Sequence, residues 1–179
     1  MKIRVRTARW VSAALLGGAA VLAPAAAASA SHARSASSAV LPACETPGLV
    51  IWFNPNGNAA LGSAFFHLRF TNLSGHACTL NGFPFLFAIN LRGRQVGHRA
   101  LSGGSTLPIT IRNGKTVHSL LQIVDALNYP TSKCHPVTAA GFKVFPPNQG
   151  RAKTVPFPFL ACSATGPHFL RVGKLQRGL

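Results

Sequence analysis

Four cysteines, Cys44, Cys78, Cys134 and Cys162, follow an N-terminus patterned for export, and together they constrain the fold more than any other feature. Residues 1–10 carry Lys2, Arg4, Arg6 and Arg9, and an alanine-rich apolar run over residues 11–28 leads into Ala-Ala-Ala-Ser-Ala at positions 26–30. Basic segment, apolar segment and small-residue site are the three parts of a secretory signal peptide. The reading is a signal peptide over residues 1–30, cut after Ala30, with a second site after Ala33. Gly17, Gly18 and Pro24 interrupt the run, which argues against a permanent membrane span. Export places the chain in an oxidising compartment, where an even number of cysteines implies two disulfides. Three connectivities are open. Pairing Cys44 with Cys78 and Cys134 with Cys162 closes one loop in each half of the chain and is favoured. A competing reading takes Leu41-Pro42-Ala43-Cys44 as a lipobox with Cys44 lipidated, at the cost of an odd thiol.

Residues 31–40 are mostly Ser and Ala, with His32 and Arg34, and read as a flexible leader, so a single folded body spans residues 41–179. Glycine and proline make up 27 of the 149 residues after Ala30, which disfavours long helices. Residues 63–72 (SAFFHLRFTN) alternate, with Phe66, Leu68 and Phe70 on one face and Phe65, His67, Arg69 and Thr71 on the other. Residues 85–91 form a second run, which Arg92-Gly93-Arg94 turns back toward residues 95–98 as a hairpin. Further strands are expected at 49–53, 107–112, 116–124, 142–145, 154–160 and 168–172. Asn113-Gly114 reads as a hairpin turn, and residues 129–136 as a long connection. Seven to nine short strands joined by turns predict an all-β fold, an antiparallel β-sandwich. Asn72-Leu73-Ser74 matches a glycosylation sequon but is better read as a turn, with Asn72 bonding nearby backbone and Gly75 taking positive φ.

Residues 69–97, RFTNLSGHACTLNGFPFLFAINLRGRQVG, resemble the signature segment of an actinobacterial secreted family catalogued as domain of unknown function 4232. Asn113-Gly114 before a long strand, Cys134-His135-Pro136, and the closing Cys162 agree with it. The resemblance covers about residues 44–172. It implies an immunoglobulin-like sandwich with the favoured cysteine pairing and supplies no catalytic residue. This chain departs from the family pattern in its shortage of acids, above all around residues 92–99.

Charge limits the chemistry. Whole, the chain has 18 Lys and Arg against two acids; without residues 1–30 it keeps 14 against Glu45 and Asp125, a net +12. Two isolated carboxylates nearly exclude glycosidase chemistry and oxygen-rich Ca²⁺ sites. Zinc at His76-x-Cys78 or Cys134-His135 lacks the usual spacing and would compete with disulfides. No cofactor is implied. A hydrolase assembled from distant loops would need Asp125 with a histidine and a serine such as Ser105 or Ser163, but no G-x-S-x-G elbow occurs, and Asp125 reads as a turn-forming acid. Arg92, Arg94 and Arg99 cluster on one hairpin, Arg151 and Lys153 flank a Pro-Pro loop, and Arg171, Lys174 and Arg177 close the chain. The first five are the candidate anion-binding residues. The expected protein is a secreted, non-catalytic domain of the cell envelope whose basic surface meets an anionic polymer or a membrane surface. Nucleic acid is the weaker partner, since no binding motif accompanies the charge.

Overall fold

A computed structural model describes residues 40–164 and 166–178. The readings on residues 1–39, signal peptide and leader, lie outside the described residues. What is described is an immunoglobulin-like antiparallel β-sandwich with two disulfides, Cys44–Cys78 and Cys134–Cys162. Cys44 is 1% exposed and its sulfur is bonded to that of Cys78, so the lipid-anchor alternative is overturned.

One sheet has five strands: β1 (Leu49–Phe53), β2 (Asn58–Ala60), β3 (Ser63–Asn72), β8 (Thr116–Val124) and β11 (Leu170–Arg177). Strands β1 and β2 both pair with β3, at its two ends, and β8 lies between β3 and β11. The facing sheet has four strands in the order β10 (Lys153–Cys162), β9 (Pro136–Phe145), β5 (Phe85–Ile89) and β6 (Gln95–Val96). A two-stranded ribbon, β4 (Cys78–Leu80) with β7 (Ile109–Ile111), completes the fold. The alternation of β3 points Leu68 and Phe70 inward, and both are fully buried. Between the sheets lie Leu86, Ala88, Leu121, Phe142, Val144, Phe169 and Leu170. Burying each large side chain of this kind stabilises the fold by about 1.5–3 kcal/mol.

Two strands escaped the sequence reading, β2 and β4, because three residues are too few to show a period. The Asn113-Gly114 hairpin is overturned. Gly114 does take positive φ, and Lys115 N donates to Arg112 O (3.0 Å), but β7 pairs with β4 whereas β8 pairs with β3 and β11. The turn therefore carries the chain from one sheet to another. The connection at residues 129–136 contains one short helix, α1 (Thr131–Cys134), closed by His135 at φ 46° and stopped by Pro136.

Asn72 anchors the corner where β3, β4 and β7 meet, and it is fully buried. Its Nδ2 donates to His76 O (2.7 Å) and Ile111 O (2.8 Å), and its Oδ1 accepts from Ser74 N (2.9 Å) and Ser74 Oγ (2.7 Å). Gly75 follows at φ 87°. The turn reading thus holds, and the sequon's amide is occupied inside the fold. Asn72→Ala would leave buried backbone groups without partners. Urea denaturation should show a loss of about 3 kcal/mol, and a change under about 0.5 kcal/mol, the size of a surface substitution, would refute the anchoring role.

Candidate functional site

The solvent face of the four-stranded sheet carries an aromatic cluster. Because Leu86, Ala88, Phe142 and Val144 fill the core, alternation turns Phe85, Phe87, Lys143 and Phe145 outward. Register then sets Phe85 opposite Phe145 and Phe87 opposite Lys143. The rings touch edge to face or tilted, with centroids 5.3 Å apart for Phe85–Phe145, 5.9 Å for Phe85–Phe87 and 6.3 Å for Phe87–Phe145. Phe85 is 40% exposed. Arg99 reaches this cluster because Ala100 N donates to Leu86 O (2.9 Å), which lays the chain after β6 beside β5. Its guanidinium carbon sits 5.9 Å from the Phe85 centroid, within reach of a cation–π contact.

The five candidate cations do not form one patch. Arg92 and Arg94 stand exposed on the β5–β6 turn, where Asn90 Oδ1 accepts from the amides of Arg92 (2.9 Å) and Arg94 (3.1 Å). Arg99 lies at the other end of β5, a strand of about 16 Å at the usual rise per residue. Arg151 lines a groove together with Glu45 and Gln149. Lys153 falls on the inward register opposite Val144 and is half-buried at the rim. The structure sets Arg99 and a cation that sequence reasoning missed, Lys143, on opposite sides of β5 at the same phenylalanine cluster. The Phe142-Lys143-Val144 alternation was the available signal.

A second group lies on the outer face of the five-stranded sheet, where Trp52, Arg69, His118 and Gln176 occupy one row across β1, β3, β8 and β11. The Arg69 guanidinium carbon is 4.9 Å from the Trp52 centroid, and the His67 and His118 rings meet edge to face at 4.8 Å. Trp52 Nε1 donates to Thr71 Oγ1 (3.2 Å), fixing the indole. His67 Nδ1 and Arg69 Nε are buried without a partner. Alternation had marked His67 and Arg69 as solvent-facing, but not that His118 would be 7% exposed between them and Gln176.

The other sequence candidates are absorbed by structure. The Asp125 carboxylate accepts from Leu127 N (2.9 Å), capping the 3-10 turn Ala126–Asn128, so it is the turn-forming acid expected. Ser163 Oγ donates to His135 O (2.7 Å). Cys78 and Cys134, the thiols considered for zinc, are held in disulfides.

The family described as Domain of unknown function (DUF4232) matches residues 44–176. The chain belongs to that family. No curated protein and no solved structure matches it. Within this DUF4232 domain, both disulfides fall inside the matched span, as do both outer faces.

Burial lowers the pKa of His118 below the ordinary histidine value, and the charges of His67 and then Arg69 lower it further, against a hydrogen bond that the ring donates to Gln176. Across this face β3 presents His67 and Arg69, and β11 presents Gln176. Between pH 6.5 and the lowered value the unfolded chain binds more protons at this position than the fold does, so stability falls as pH falls through that window. Replacing His118 with Gln should flatten this acid-side loss in thermal unfolding at several pH values. An unchanged slope would show that His118 titrates normally.

Proposed function

We propose that this DUF4232 domain is a secreted, non-catalytic binding or structural domain of the cell envelope that associates with anionic components through its basic surface. The observation that carries the reading is the solvent face of the four-stranded sheet, where Arg99 and Lys143 border the exposed Phe85 and the half-buried Phe87 and Phe145, with Arg92 and Arg94 on the turn at the far end of β5. Neither acid lies on those strands. Such a surface attracts polyanions, and its aromatic centre adds contact area once the ligand arrives. The disulfides fit an oxidising compartment, and no helix among the described residues is long and apolar enough to cross a membrane.

The hydrolase reading draws no support from Asp125, since its carboxylate accepts from the Leu127 amide. Nucleic acid is the other polyanion such a face would attract, and an exported domain meets it less often than envelope polymers.

Retention of the purified domain on native envelope fractions should be strong at low salt and largely lost by about 0.5 M salt, because screening shortens electrostatic reach below the ~8 Å of physiological solution. The variant Arg92→Gln/Arg94→Gln/Arg99→Gln/Lys143→Gln should shift elution to lower salt. Retention indifferent to salt, or none at all, would sink the proposal, and stronger capture by DNA than by envelope would move it to nucleic acid.

A further inference from the structure

At one edge the two sheets leave a cleft of about 550 Å³ between the β2–β3 turn, residues 59–64, and residues 157–160 of β10, completed by Phe66, Ile123 and Asp125. A cleft of that volume is large enough for a small organic molecule. Phe66, Phe157 and Phe159 are all half-buried in it. Phe66 and Phe157 meet edge to face with centroids 4.7 Å apart, and Phe157 and Phe159 are tilted at 6.3 Å. The β10 wall is built by a bulge. Register shifts between Pro156 and Phe159, two prolines there donate no ladder hydrogen bond, and the extra residue sets Phe157 against Phe53 and Phe66. Gly141 makes room for this bulge: a Cβ there would stand 2.3 Å from Val155 O.

Asp125 is one of only two acids in residues 31–179, yet it lines this cleft and is exposed. Capping Leu127 N uses one lone-pair site of one oxygen, and a carboxylate offers about four. Aromatic walls beside a carboxylate recognise cations, the rings through their electron-rich faces and the acid through its charge. We propose that the cleft binds a primary ammonium carried on a small apolar body, with Asp125 as its counter-ion and Phe66, Phe157 and Phe159 as its apolar walls. The net positive charge of the body keeps small cations at a distance on average, so the attraction is local: it acts inside a Debye length, at the cleft itself. This inference does not depend on the anion-binding reading.

The test is a pair of titrations on the disulfide-intact protein, followed by amide chemical shifts, using cyclohexylammonium and its neutral isostere cyclohexanol. Cyclohexylammonium should bind roughly tenfold more tightly and perturb residues 59–64 and 157–160. Asp125→Asn should bring the two probes to equal affinity without unfolding the domain, because Asn caps as well as Asp. Ala59→Phe, at an exposed position of the short β2, should close the cleft to both. Equal affinity of the two probes for the native protein, a preference that survives Asp125→Asn, or no perturbation at the cleft would each overturn the proposal.

Discussion

The carboxamide of Asn72 does for this fold what a longer hydrogen-bonded ladder does elsewhere. β3 ends there, β4 begins six residues on, and β7 and β8 pass on either side of the Asn113-Gly114 turn. Besides its four side-chain bonds, Asn72 N donates to Lys115 O (3.0 Å), and Gly114 N donates to Asn72 O (2.7 Å). One buried residue thus satisfies backbone groups in residues 74–76 and in residues 111–115, among them the buried carbonyl of Ile111. The β4–β7 ribbon is held at one end by both this corner and the Cys44–Cys78 bridge, because Cys78 pairs with Ile111, and Cys44 N donates to Thr79 O (2.8 Å). With three residues per strand the ribbon has too little ladder to persist alone.

From that corner the two sheets diverge in character. The five-stranded sheet keeps polar and ring groups pressed against its outer face, where Trp52, Arg69, His67 and His118 cover one another. On the four-stranded sheet, phenylalanine shows at the surface. Three phenylalanines on a solvent face would ordinarily invite self-association. Here Arg99 and Lys143 stand beside them on a domain of strong net positive charge, and like charge opposes the approach of a second copy to that face.

How much of this was legible in the sequence depends on the range of the interaction involved. The limits of β3 and β8 follow from residues 63–72 and 116–124 because nine or ten alternating residues outvote any local irregularity. The strand read at 154–160 extends to Lys153–Cys162, and the prolines at 156 and 158 inside it are tolerated because it lies on the sheet edge. Asn113-Gly114 reported the local φ correctly and the pairing wrongly, because a turn motif fixes two residues and says nothing of which sheet receives the next strand. The same division holds for the sites. Arg92, Arg94 and Arg99 were visible as a run along the chain, whereas the pairing of Phe87 with Lys143 exists only through the β5–β9 register.

The placement of the acids is the sharper consequence of that register. In a sequence with fourteen cations after Ala30, a carboxylate sited without constraint would lie near several of them, and Glu45 does lie in a groove with Arg151. Asp125 sits instead where β8 ends against the β2–β3 turn, with Asp125 N donating to Gly62 O (2.9 Å) and Asn128 Nδ2 to the same oxygen (2.7 Å). Those bonds tie the turn that forms one wall of the aromatic cleft to the residue that carries its charge. Capping alone could be done by Ser, Thr or Asn at similar strength. A charged cap lining an apolar cleft, in a chain that uses acids almost nowhere else, therefore closes the turn and also supplies the charge that the proposed ammonium site needs.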